Sequence, residues 1–294
     1  MHMWFYLALL SAFFGAISNI ARRTHGSLAR PAELSWWSLL FGMPLGIGLV
    51  LVSNKPIYTS HAFLLPAITA GVINTLASVL QFRAYRLSDA SIVSPIANFL
   101  PILLVMTSFV MLGVVPNVGG LVGILFVVAG VYYSSVNGRH DLFHPIQQMF
   151  KNPGSRAMLG TVALWSITNN LEKISLRSAS PAFLTVMQAG IMFTILSVYL
   201  LIRPRQRRLK HGEQVIKKWG WHIAAIAVFA LLAAFFQMQA MALVNPSYVL
   251  SVKRLDVLFT VVFAGLFLHE KHILKRFKGA IIAVIGVAII YLFR

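Results

Sequence analysis

Residues 77–132 read ASVLQFRAYRLSDASIVSPIANFLPILLVMTSFVMLGVVPNVGGLVGILFVVAGVY, and residues 233–288 read AAFFQMQAMALVNPSYVLSVKRLDVLFTVVFAGLFLHEKHILKRFKGAIIAVIGVA. Laid together at a constant offset of 156, they share Ala77/Ala233, Gln81/Gln237, Ala84/Ala240, Leu87/Leu243, Ser91/Ser247 and Val93/Val249. The same register continues through Val105/Val261, Leu112/Leu268, Gly123/Gly279, Val128/Val284, Gly130/Gly286 and Val131/Val287. Sliding one stretch by a single residue would lose all of these together. The starts of the halves also agree, with Asn19 and Arg22 matching Asn170 and Lys173 at offset 151, and Pro31-Ala32 matching Pro181-Ala182 at offset 150. Duplication of long apolar segments is a signature of repeat-built membrane proteins.

Composition agrees. The chain has 294 residues, of which 58% are hydrophobic and 11% charged, too few charges to cover a soluble protein of this length. The net charge of +18 would suggest nucleic acid in a soluble protein, but the Lys and Arg lie mostly between apolar runs, where anionic lipid attracts them. The expected surroundings are a lipid bilayer, with no nucleic-acid partner. The first apolar run starts almost at Met1, lacks a basic leader and a small-residue cleavage site, and has a counterpart in the second half. It reads as a spanning helix and not as a cleaved signal.

A spanning helix needs roughly 20 apolar residues. The stretches 3–21, 34–53, 62–83, 90–112, 117–136, 157–175, 181–202, 219–242, 247–268 and 275–293 meet this. The expected fold is therefore all-α integral membrane, with ten transmembrane helices as two inverted five-helix repeats, since an odd number of spans makes the second repeat enter from the opposite side. The expected boundaries are 1–136 for the first repeat, 137–156 for a linker and 157–294 for the second, with 203–218 as the other long polar connection. Trp4, Tyr6, Trp36, Trp37, Trp219, Trp221, Tyr132 and Tyr133 fall where an interfacial aromatic belt belongs. Gly123/Gly130 and Gly279/Gly286, with Gly119, form small-residue stripes suited to close helix packing. Orientation follows from charge: the connections on one side hold nineteen Lys and Arg, against Lys55, Lys173, Arg177 and Arg294 on the other. The positive-inside rule puts the odd-numbered loops in the cytoplasm and both termini outside.

Two five-helix repeats, each with a Gly-bearing last helix, resemble the drug/metabolite transporter superfamily, EamA type. The most specific stretch is LFLHEKHILKRFKGAIIAVIGVAII (266–290), similar to the family's helix end, Gly-Glu, polar link and G-x6-G-V. Here His269 replaces the Gly before Glu270, while the first repeat keeps Gly113 and has Val114 in place of the Glu. The resemblance implies both termini in the cytoplasm, opposite to the charge count. It also implies a multi-pass protein of a bacterial inner membrane that moves a small-molecule substrate. Proton or counter-substrate coupling and a homo-oligomer are compatible with it, and it implies neither an enzyme nor a cofactor.

Helix 9 carries Lys253, Arg254 and Asp256 about two turns inside its apolar stretch. A charge at a helix centre costs about 2.5–3.5 kcal/mol on insertion scales, so these groups must be paired or face water or substrate. Lys253 and Asp256, three apart on a helix face, are expected to neutralise each other. Val252-Lys253-Arg254 also resembles the phosphate-binding Lys-Arg of the sugar-phosphate translocator branch, which further uses a Lys late in helix 6, where Lys173 stands beside Glu172. Lys and Arg side by side offer a point charge and a bidentate fork for carboxylate or phosphate. The expected substrate-binding set is Lys253, Arg254, Lys173, Asn170, Asn169, Asn19, Asn98 and Gln237, and Pro95 and Pro101 are expected to interrupt helix 4. A small-multidrug-type cation exporter needs an unpaired carboxylate in a membrane helix; helix 1 has none, and Glu172 and Asp256 each have a basic neighbour. The His residues lie in connections or at helix ends without metal-ligand spacing. The expectation is a secondary transporter of a small anionic or zwitterionic metabolite by alternating access. A flippase of a lipid-linked headgroup and a non-transporting scaffold or receptor stay open at this point.

Overall fold

The computed structural model describes the backbone of residues 2–25, 31–53, 56–88, 90–135, 146–147, 150–202, 209–268 and 273–293. The helices are α1 (Met3–His25), α2 (Pro31–Val52), α3 (Leu64–Leu87), α4 (Ala90–Ala97), α5 (Leu100–Leu112), α6 (Val118–Ser135), α7 (Pro153–Ser175), α8 (Pro181–Ile202), α9 (Leu209–Leu243), α10 (Pro246–Lys253), α11 (Leu255–Leu268) and α12 (Ile273–Phe293). A 3-10 turn, His61–Phe63, leads into α3. Among the described residues there is no strand beyond one isolated bridge, Tyr58 to Ala179. His269 and Glu270, and most of the expected linker 137–156, lie outside the described residues.

Six stretches are long and apolar enough to cross a membrane among the described residues: Ala32–Val52, His61–Leu87, Pro95–Leu112, Val118–Ser135, Pro181–Ile202 and Gly220–Leu243. The other expected spans are shorter in apolar length (Met3–Asn19 and Lys278–Phe293), carry internal polar and charged residues (α7), or are broken (α10 and α11).

Three boundaries differ from expectation for local reasons. α7 starts at Pro153, inside the expected linker, because the Asn152 side chain accepts from Gly154 N and Ser155 N and caps the helix. The expected loop 203–218 is helical from Leu209, making α9 35 residues long. That is about 52 Å, well beyond a hydrocarbon core of about 30 Å, so its basic start lies outside the apolar window. The third is helix 9, which is not continuous.

Both fourth segments are broken at the same register. In the first half α4 ends at Ala97 and α5 starts at Leu100. Pro101 has no N–H for the carbonyl of Ala97, and Asn98 N and Phe99 N close tight turns onto Pro95 O and Ile96 O. The second half has no proline there. Arg254 N is shared between Leu250 O and Ser251 O, and Val257 N closes onto Arg254 O, so the helix restarts at Leu255. Asn98 and Arg254 are counterparts at offset 156.

Packing exchanges between the halves. α1 lies along α9 as α3 lies along α7, α11 and α10 sit on α1 as α5 and α4 sit on α7, and α9 meets α2 as α3 meets α8. One hydrogen bond even occurs twice: Ser11 Oγ donates to Ala233 O (2.7 Å) and Thr161 Oγ1 to Ala77 O (3.4 Å), on the matched Ala77/Ala233 pair. α2 pairs with α8 and α6 with α12. The interfaces are built from small residues; Ala8, Ala12, Ala16, Ala67, Ala70, Ala77 and Ala84 are all fully buried. Lipid gives no hydrophobic drive between helices, so association rests on this close van der Waals approach and on interhelical hydrogen bonds.

The aromatic belt needs one correction. Trp221 is well exposed, as a belt residue should be, but Trp4 is buried against Tyr248 and Phe5. Trp36 stacks on Phe193 and donates from Nε1 to Ser197 Oγ (2.7 Å), serving the α2–α8 contact.

Candidate functional site

α10 is short because both its ends are fixed. Asn245 caps its start, its Oδ1 accepting from Ser247 N at 3.0 Å, and after the eight residues Pro246–Lys253 the helix breaks at Arg254. Eight residues carry the chain about 12 Å inward, which leaves Lys253 as the last residue of α10, Arg254 in the turn and Asp256 in the first turn of α11. The break decides their partners, since residues 253 and 256 are not on one continuous helix face.

Lys253 Nζ donates to Gln237 Oε1 of α9, and Gln237 Nε2 donates to Asn169 Oδ1 of α7 (3.0 Å), whose own Nδ2 donates to Trp165 O (2.7 Å). Asp256 Oδ2 accepts from Asn19 Nδ2 of α1 at 3.4 Å, while its Oδ1 is buried with no hydrogen-bond donor among the described residues. Lys253 and Asp256 thus take separate amide partners in place of a direct bond, while the two charges stay within electrostatic range of each other. A helix N-terminus favours an anion such as Asp256. Arg254 lies within electrostatic range of Asp256 and of Tyr85 on α3.

Glu172 and Lys173, neighbours in the sequence, take different partners. Neighbours on a helix point about 100° apart: Glu172 is buried, accepts from Asn74 Nδ2 of α3 (2.8 Å) and lies within electrostatic range of Lys253. Lys173 instead donates to Met241 O (2.6 Å) and Ala242 O (3.3 Å) at the end of α9.

Of the eight expected binding residues, the structure therefore gathers Lys253, Gln237 and Asn169 in one chain of hydrogen bonds, with Arg254 and Asn19 beside Asp256. It does not bring in the others. Asn170 is fully buried between α5 and α7, its Oδ1 accepting from Ser108 Oγ and its Nδ2 donating to Thr107 Oγ1 and Ser166 O; no polar atom is left to meet a ligand. Asn98 is buried and donates to Ser135 Oγ of α6. Lys173 is committed to carbonyls at a helix end. Glu172, Asn74 and Tyr85 join the site without having been placed in it from sequence. The available signal was a polar residue inside a largely apolar helix, which Asn74 gives on α3, and an acid within a membrane segment, which Glu172 gives on α7.

The arrangement brings two cations and two carboxylates to one helix break, tied to α1, α3, α7 and α9 by amide side chains. It can hold a small ligand by paired charges and by reorientation of amides. A many-helix membrane protein in two matched halves, with four charged residues inside its apolar segments gathered at one helix break, is the class this defines.

The EamA-like transporter family model matches residues 2–136 and again residues 152–292. The chain belongs to the EamA-like transporter family, and it is an integral, multi-pass membrane protein. The fold is also seen elsewhere: a solved crystal structure of a protein superposes with a TM-score of 0.72 at 14% identity, over 99% of this chain and 97% of that one. No curated protein matches the chain in sequence.

Proposed function

We propose that this protein is a secondary transporter of ten spans in two inverted halves, with boundaries near 1–136 and 157–294, that moves a small anionic or zwitterionic metabolite by alternating access. The substrate's carboxylate or phosphate binds Lys253 and Arg254, with Gln237, Asn169 and Asn19 as further contacts. The observation that carries this is the placement of Lys253 and Arg254 at the break between α10 and α11, where Lys253 donates to Gln237 of α9, itself held by Asn169 of α7, and both cations lie within electrostatic range of Asp256 without a direct ion pair to it. Amide contacts can be exchanged for contacts to substrate at little net cost, whereas a tight buried ion pair cannot.

The inverted arrangement is supported by the direction of matched helices. Gly123 faces Gly286 and Gly130 faces Gly279, so α6 and α12 run antiparallel. Charge distribution supports cytoplasmic odd-numbered loops and external termini, in the inner membrane of a bacterial cell. The test is flux of labelled carboxylates and phosphates into vesicles reconstituted with purified protein. Wild-type uptake above empty vesicles that is lost in Arg254→Ala supports the reading. A panel that moves no faster than in empty vesicles rejects it.

A further inference from the structure

On the face that carries Tyr58, two connections from different halves are sewn together. Thr59 N donates to Ser178 O (2.8 Å) and Ser180 N to Ile57 O (2.9 Å), flanking the antiparallel bridge between Tyr58 and Ala179. Beneath it the Tyr58 ring meets Phe63 and Phe183, and Phe63 packs edge-on to Phe183. Deeper on the same face, Lys173 near the end of α7 holds the carbonyls of Met241 and Ala242 at the end of α9. The last carbonyls of a helix have no partner within it, and a lysine there is favoured both as donor and by the helix dipole.

The latch and the site share the same two helices at close quarters. Glu172, within electrostatic range of Lys253, immediately precedes Lys173. Gln237, which accepts from Lys253, lies one turn before Met241 and also donates to its Sδ at 3.6 Å. A ligand that draws Lys253 from Gln237, or shifts Glu172, therefore moves the turns of α7 and α9 that carry the latch.

We propose that Lys173 is a gating residue and not a substrate ligand: its bond to the end of α9, with the strap of residues 57–59 and 178–180, is the closed gate of this face, coupled to the charged site within one helical turn. The inference rests on the alternating-access reading but is tested apart from it.

The chain has no Cys, so introduced thiols report without background. Tyr58 and Ala179 form the non-hydrogen-bonded pair of an antiparallel bridge, where Cα atoms are about 4.5 Å apart, within disulfide range. The Tyr58→Cys/Ala179→Cys protein should cross-link with copper-phenanthroline, lose vesicle flux and recover it on reduction. A second measurement needs no flux. A Gln237→Cys reporter, labelled by an impermeant thiol reagent from the Tyr58 face, should react about tenfold faster when combined with Lys173→Met, the scale of one lost charge-assisted hydrogen bond. Lys173→Arg, which keeps a cationic donor, should stay within about threefold of the parent rate on the same reasoning. A fully cross-linked protein that transports at the wild-type rate, or labelling unchanged by Lys173→Met, overturns the gate. Vesicles that move no solute while labelling still responds to Lys173→Met would defeat the transport reading and leave the gate standing.

Discussion

Gly123 and Gly286 meet backbone to backbone: a Cβ on Gly123 would lie 2.7 Å from the Gly286 carbonyl oxygen, and a Cβ on Gly286 would lie 2.7 Å from that of Gly123. The same contact recurs between their repeat counterparts, at 2.6 Å for a Cβ on Gly130 against Gly279 O and 2.5 Å for the reverse. These distances leave no room for a side chain, and the obstruction is main chain, which cannot swing aside. Gly130→Val should therefore separate α6 from α12 and destabilise the protein by about 1–3 kcal/mol or more, the usual range of overpacking. Thermal stability in detergent measures it. By contrast Gly48, whose Cβ would meet nothing within 4 Å, should accept Ala with little change.

Arg254 and a lysine in its place separate charge from geometry. If Arg254 grips a carboxylate or phosphate in a bidentate manner, Arg254→Lys should lower vesicle flux by about tenfold or more despite the conserved charge, because the planar fork is lost. Normal flux from a well-expressed Arg254→Ala protein would remove the residue from the site.

Neighbouring asparagines on α7 have opposite assignments. Asn170→Leu strands Ser108 and Thr107 at a buried contact and should reduce stability by about 1 kcal/mol while folded protein transports normally. Asn169→Leu cuts the chain from Lys253 through Gln237 and should lower flux more than stability. Thermal melts and flux on both variants check the assignment, and equal flux defects would refute it.

Topology has a direct measurement. With no native thiol to remove, single cysteines at positions 57 and 207 should label from opposite faces with an impermeant reagent, since they lie in connections of opposite side in the ten-span arrangement. Labelling of both from one face would end that arrangement.

Absolute orientation is set against the family precedent. A compartment-sensitive reporter fused after Arg294 should be inactive in the cytoplasm if the positive-inside count governs. Cytoplasmic activity would mean that the precedent holds for this chain.

The sequence by itself determined the duplication, the all-helical membrane class, the break of the fourth segment before Pro101 (Pro95, also expected to interrupt it, lies inside α4), and the glycine stripes as packing surfaces. Each is a local or periodic property: an apolar run of given length, a missing N–H, or a missing Cβ at fixed spacing acts the same way wherever the helix ends up. The location of charge in α10–α11 was legible for the same reason. What each polar residue does was decided only by tertiary structure. Asn169 and Asn170 are adjacent and alike, yet one faces Gln237 and the other Ser108 and Thr107, because a rotation of about 100° per residue hands them to different neighbouring helices. Glu172 and Lys173 divide in the same way between Asn74 and the end of α9. The break at Arg254 has no proline to announce it, and it gives Lys253 and Asp256 separate hydrogen-bond partners, Gln237 and Asn19, while leaving them within electrostatic range. Partners of this kind come from helices distant in the chain, and only their packing brings them together.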